Sequence, residues 1–144
     1  MRSRRWLGTR ILGLKPRVWG IAMIGYVTLG TNDLPRAAKF YDGLLGELGA
    51  KRIMEDGQFI VWSVRPTRPG LSLTKPFDGK AATVGNGVMV ALQVDSNAKV
   101  DALHRTALRL GATDEGAPGP RGEGFYAGYF RDLDGNKLNF FHAG

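Results

Sequence analysis

Val27-Thr28-Leu29 returns 63 residues later as Val90-Ala91-Leu92, and Leu48-Gly49-Ala50 returns 62 residues later as Leu110-Gly111-Ala112. The signals around the two copies follow one order: an alternating strand, a capped amphipathic helix stopped by glycine, then two or three more strands. A repeat of this length indicates two similar modules packed together, each with one helix over one sheet face. Few architectures satisfy that constraint.

The local signals are specific. Tyr26–Gly30 alternates, and Asn32-Asp33-Leu34-Pro35 supplies a capping residue and then a proline in the first helical turn. Leu34, Ala37, Ala38, Tyr41, Leu44, Leu45 and Leu48 recur at spacings of three and four, until Gly49 stops the helix. Lys51–Glu55 and Gln58–Val64 flank the hairpin turn Asp56-Gly57, and Leu71–Thr74 is a short strand. Residues 75–86 form a loop. The second copy predicts a strand over Val88–Val94 and a cap at Asp95-Ser96. Its helix carries Val100, Leu103, Ala107 and Leu110 on one stripe, ended by Gly111. Gly116–Gly124 is expected as a glycine- and proline-rich loop. Phe125–Arg131 and Lys137–His142 follow as strands, joined by Leu133-Asp134-Gly135-Asn136.

Strand parity separates two faces. Val27, Leu29, Leu71, Leu73, Val88, Val90, Leu92, Val94, Leu138 and Phe140 should meet the helices. The opposite parity carries Tyr26, Thr28, Ser72, Thr74, Met89, Ala91, Gln93, Tyr129 and Asn139. A face mixing small, polar and aromatic side chains is either solvated or lines a pocket.

Charge and composition exclude several classes. The net charge of +7 is uneven: residues 1–22 hold six of the 20 basic residues (Arg2, Arg4, Arg5, Arg10, Lys15, Arg17) and no acid. The remaining 14 basic residues are nearly balanced by all 13 acids, which argues against a nucleic-acid binder. The absence of cysteine excludes disulfides, thiolate metal sites and a cysteine nucleophile, and fits a cytoplasmic protein. No stretch approaches the ~20 apolar residues of a membrane span. Residues 1–22 read as an over-read start ahead of Met23 or a basic tail. A twin-arginine or transit signal is the alternative, though Arg10, Lys15, Pro16 and Arg17 break its apolar run. The expected organisation is one domain over 23–144, with module 1 at about 23–75 and module 2 at about 87–142.

Three segments in order now carry a resemblance: Val27-Thr28-Leu29 leading into Asn32–Tyr41, Gly85-Asn86-Gly87 before a strand, and Phe130–Leu138 around Asp134-Gly135-Asn136. Over about residues 23–142 the chain resembles the glyoxalase / bleomycin-resistance / dioxygenase (vicinal oxygen chelate) superfamily, with Leu133 where the family usually has proline. The resemblance implies an α+β fold of paired βαβββ modules. These form a concave, half-barrel-like sheet with helices on the outer face, often in a homodimer. The family's usual metal-ligand positions fall on Tyr26, Ser72, Met89 and Asn139, none of which offers an imidazole or a carboxylate.

The residue inventory points the same way. A catalytic zinc, iron or nickel site takes about three imidazole or carboxylate ligands. The two histidines read as a half-buried helix residue (His104) and a surface residue near the end (His142), and no acid is expected inside a strand on the pocket face. No metal or other cofactor is therefore expected. Asp132-x-Asp134-Gly135 reads as a hairpin turn rather than a calcium loop, and Arg121 and Glu123 as residues of a solvated loop, the alternative being a loop that closes over a ligand with Arg121 pairing an anion. The candidate ligand-binding residues are Tyr26, Ser72, Met89, Gln93, Tyr129 and Asn139, with Tyr26 and Tyr129 as candidate catalytic phenols. Three functions stay open. One is metal-free binding of a small molecule. Another is atypical lyase or isomerase chemistry with Tyr26 or Tyr129 as acid or base. The third is a vestigial pocket, filled by Trp62, Met89 or Phe141, in a regulatory or partner-binding subunit.

Overall fold

The computed structural model describes residues 23–144, so the readings of residues 1–22 as over-read start, tail or targeting segment lie outside the described residues. The elements run β1 (Tyr26–Gly30), α1 (Leu34–Gly46), β2 (Lys51–Glu55), β3 (Phe59–Ser63), β4 (Gly70–Thr74), β5 (Val90–Gln93), α2 (Asn97–Arg109), β6 (Thr113–Pro120), β7 (Phe125–Arg131) and β8 (Lys137–Ala143). They build two four-stranded mixed sheets of equivalent order, β1-β4-β3-β2 and β5-β8-β7-β6. In each, the first strand lies parallel to the fourth and the other pairs are antiparallel. This is the α+β arrangement of paired βαβββ units that the repeat requires.

The repeated Leu-Gly-Ala tripeptides are helix stops. Gly49 (φ 79°) and Gly111 (φ 110°) take the left-handed conformation that glycine adopts without strain. Just after each, Ala50 N–H donates to Leu45 O and Ala112 N–H to Ala107 O, both at 3.0 Å. The starts are equally alike. Asp33 Oδ1 accepts from Arg36 N and Ser96 Oγ from Lys99 N, both at 3.1 Å.

Leu44 and Leu45 of α1, Val100 and Leu103 of α2, and Leu73, Leu138 and Phe140 of the sheets belong to one buried core. The helices come close where Gly43 lacks a side chain: a Cβ there would lie 3.2 Å from Leu110 Cδ1. Thr106 Oγ1 donates to Glu47 at 3.1 Å across the same crossing.

Three sequence expectations need correction. β5 begins at Val90 rather than Val88. Val88 closes a turn on Gly85 O at 3.2 Å and is 56% exposed, so it does not join the helix-facing set. The segment expected as a loop from Gly116 is strand as far as Pro120. Its glycines sit at shifts of register against β7, and Pro118 and Pro120 are tolerated because β6 is an edge strand. Glu115 consequently stands inside a strand and pairs at 2.9 Å with Arg131, which shares a face with Tyr129 and Asn139. An acid therefore does occupy that face.

Candidate functional site

Each sheet has a face covered by its helix and a face without one. Directly paired residues share a face, which settles the side of every candidate. Thr28 pairs with Ser72 and Val61 with Ser72, while Tyr26 pairs with Gly70; all lie on the helix-free side of the first sheet. A cavity of about 410 Å³ opens against this face, lined by Tyr26, Thr28, Ile53, Phe59, Val61 and Ser72 among others. Ser72 is almost fully buried at its floor, while Tyr26 is 62% exposed at its rim. Gly70 has a spatial reason. A Cβ there would meet Trp62 O and Val61 Cγ1, both at 2.9 Å, and come within 3.6 Å of Tyr26 Cβ.

On the second sheet Tyr129 pairs with Asn139, Ala91 with Asn139, and Gln93 with Phe141. Asn139 is buried, and its Oδ1 has no hydrogen-bond partner. Two cations stand over the Tyr129 ring. Arg121 Cζ and Lys137 Nζ each stand 5.5 Å from its centroid. Arg121 is exposed in the loop after β6, as expected, and its side chain folds back over that strand. Its Nη2 donates to Ala117 O at 2.6 Å and its Nη1 to Pro120 O at 3.3 Å. Gly116 and Gly119 leave space for it, since a Cβ at either would lie 3.4 or 3.1 Å from the guanidinium. The sequence signal was present: an arginine one residue beyond a run of glycine and proline, on a hairpin leading back to Tyr129. Arg131 holds the Glu115 carboxyl below the usual carboxylate range chiefly through their hydrogen bond, with Lys137 adding a smaller effect.

The six candidate ligand-binding residues are therefore not gathered in one cavity. Tyr26 and Ser72 share the first, and Tyr129 and Asn139 are neighbours on the second sheet. Met89, just before β5, lines a separate apolar cavity of about 570 Å³ with Val27, Leu48, Trp62, Leu71 and Val90. Gln93 lines a polar cavity of about 650 Å³ with Glu47, Asp95, Lys99 and His142. Trp62 does not fill the 410 Å³ cavity. It is 1% exposed in the core beside Tyr41, and its Nε1 donates to Asp42 at 2.8 Å. Phe141 stacks on Phe125 at 5.2 Å on the helix-free side of the second sheet.

The histidines are engaged structurally. His104 is buried more deeply than expected, its Nε2 3.0 Å from Tyr129 O, seated where Gly128 has no side chain. His142 Nδ1 meets Asn97 Oδ1 at 2.9 Å. Among the described residues, no group of three or more His, Asp or Glu is placed to hold a metal ion. The Asp132 turn is not a cation loop, because Asp132 accepts hydrogen bonds from Tyr41 Oη, Asn136 Nδ2, Asp134 N and Asn136 N.

The comparisons agree with this geometry. Residues 23–140 match the family model described as Glyoxalase/Bleomycin resistance protein/Dioxygenase superfamily. A glyoxalase/bleomycin resistance protein from Albidiferax ferrireducens T118 is 35% identical, with a TM-score of 0.78 over 85% of this chain and 100% of that one. A lactoylglutathione lyase from Agrobacterium tumefaciens is 21% identical, with a TM-score of 0.63 over 84% of this chain and 92% of that one, a likeness of fold alone. No curated protein matches the chain. Among the described residues, no helix is long and apolar enough to cross a membrane.

Proposed function

Because this chain belongs to the Glyoxalase/Bleomycin resistance protein/Dioxygenase superfamily, we propose that it binds a small, largely apolar molecule on the helix-free faces of its sheets without the family's usual divalent metal. The observation that carries this reading is the 410 Å³ cavity. Its wall is mostly aromatic and aliphatic, with the hydroxyls of Thr28 and Ser72 as directing groups. The positions that the family resemblance assigns to metal ligands bring a phenol, a hydroxyl, a thioether and an amide (Tyr26, Ser72, Met89 and Asn139). Such neutral donors fit a divalent cation poorly. They fit a ligand's own hydroxyl and carbonyl groups well.

Titration calorimetry of chelator-treated protein with nickel, zinc, manganese and ferrous ions tests the metal-free half of this reading. We expect no stoichiometric heat; tight one-to-one binding of any of the four ions overturns it. A screen of small amphipathic molecules by melting temperature tests the other half. Tyr26→Phe then separates binding from catalysis, since a phenol used as acid or base would cost turnover far more than affinity.

The proposal includes a homodimer in the cytoplasm. β1 and β5 are edge strands of their sheets, and the exposed Met23, Ile24 and Met89 leave an apolar margin beside them. Sedimentation at micromolar concentration should give twice the chain mass.

A further inference from the structure

We infer that Arg121 and Lys137, set about the Tyr129 ring, form a subsite for an oxyanion, so that the ligand carries a carboxylate or a phosphate beside its apolar body. This rests on the reading that the helix-free faces bind the ligand, and it adds the ligand's charge.

Three observations carry it. The first is how Arg121 is held. Its two hydrogen bonds go to backbone carbonyls, which fix the guanidinium without neutralising it. Of its five N–H donors, three are left for a ligand. Gly116 and Gly119 provide the space in which it lies. The second is the balance of charge. Arg121 and Lys137 stand over the Tyr129 ring, and Glu115 is committed to Arg131 at 2.9 Å. Among the described residues, no carboxylate bridges Arg121 or Lys137. The third is a donor left over. No described residue hydrogen-bonds the Tyr129 hydroxyl, which can donate to an anion beside the cations.

The two cations start from opposite ends of β7, and both charged heads return to 5.5 Å from the Tyr129 ring centroid. Arg121 N–H bonds to Phe125 O at the start of the strand, whereas Lys137 pairs with Arg131 at its end. An oxyanion accepting from Tyr129 lies in the field of both charges, whose attractions add. Charge-assisted hydrogen bonds of this kind are about twice as strong as neutral ones.

The test is an amide-shift titration of the full chain at constant ionic strength with sodium benzoate, sodium phosphate and the neutral benzyl alcohol. Benzoate should move Gly116, Gly119, Ala127 and Tyr129, and Arg121→Gln should weaken it about tenfold. Lys137→Gln should weaken it less. Arg105→Gln, which removes the same charge from the exposed face of α2, should leave it unchanged. The spectra themselves report that each variant is folded. Phosphate matching benzoate would show that the subsite reads charge alone; benzoate binding more tightly would show that it reads an organic acid. Benzoate without effect on these amides overturns the subsite, as does equal weakening by Arg121→Gln and Arg105→Gln. Benzyl alcohol reports on the broader reading separately. If it shifts Thr28 and Ser72 while benzoate fails at Tyr129, the cavity stands and the anion subsite falls. If benzoate binds at Tyr129 and benzyl alcohol shifts nothing, the subsite stands and the apolar cavity falls.

Discussion

The links between the third and fourth strands of the two sheets occupy equivalent places and are built oppositely. Between β3 and β4 the chain closes on itself. Ser63 Oγ donates to Arg65 O at 2.6 Å and lies 3.1 Å from Arg68 O, and Arg65 N returns a bond to Ser63 Oγ at 3.3 Å. Between β7 and β8 the turn reaches across to the other module. Asp132 accepts from Tyr41 Oη at 2.6 Å, Asn136 Nδ2 also approaches Gly30 O at 3.0 Å, and Asp134 Oδ1 accepts from Asn32 N at 3.0 Å. Arg36 Nη2 donates to Leu133 O at 3.2 Å beside them. A repeated topology therefore does not repeat its contacts. One link is a local closure, and its counterpart joins the two modules.

The sharpest way to break that contrast is Asp132→Ala. The carboxylate is 5% exposed and satisfies two backbone N–H groups, an amide and a phenol. Removing it leaves four donors short of an acceptor, two of them on a buried turn. We expect a loss of about 3–5 kcal/mol in chemical denaturation, in the range of other broken buried polar networks. A loss near 1 kcal/mol would mean that the turn closes on itself as its counterpart does.

Tyr41→Phe is the next smaller change, at about 1–2 kcal/mol. It also has a pH signature. Burial, followed by the Asp132 charge and the hydrogen bond to it, raises the Tyr41 phenol well above its ordinary value. Above about pH 10 the unfolded phenol loses its proton while the folded one keeps it. The folded state then binds more protons, so stability falls as pH rises. Equilibrium unfolding between pH 9 and 11 should show that decline in the wild type and a flatter profile in Tyr41→Phe.

What could be read in advance follows the same division. The caps at Asp33 and Ser96, the glycine stops and the Asp56-Gly57 turn depend on a few adjacent residues, and they were legible. So was the parity that separates Leu73 and Phe140 from Ser72 and Asn139. β6 was not, because Thr113–Pro120 has no alternating pattern and is held by the ladder to β7. The joint was read only as a turn, since its hydrogen bond from Tyr41 to Asp132 spans 91 residues. A clue existed in Tyr41 itself. A phenol on the buried stripe of a helix needs a polar partner, and the Asp132–Asn136 segment holds more acceptors than a turn uses. At the site, Tyr26, Ser72, Tyr129 and Asn139 fell on the expected face. Arg121 just beyond a run of glycine and proline is a signal of position only; its pose depends on Gly116 and Gly119 of β6, which the sequence reads as a loop.

Ser63→Ala is the smallest perturbation and the one that completes the comparison. Ser63 is buried, yet the carbonyls it serves belong to exposed Arg65 and Arg68. Water can take over those acceptors, so the loss should be about 1 kcal/mol. The decisive quantity is the double variant with Asp132→Ala. The two side chains share no hydrogen-bond partner, so their costs should add to within about 0.5 kcal/mol. A larger coupling would mean that strain in the β3–β4 link is transmitted through the core to the joint between modules, and the distinction between a local closure and a joint would no longer hold.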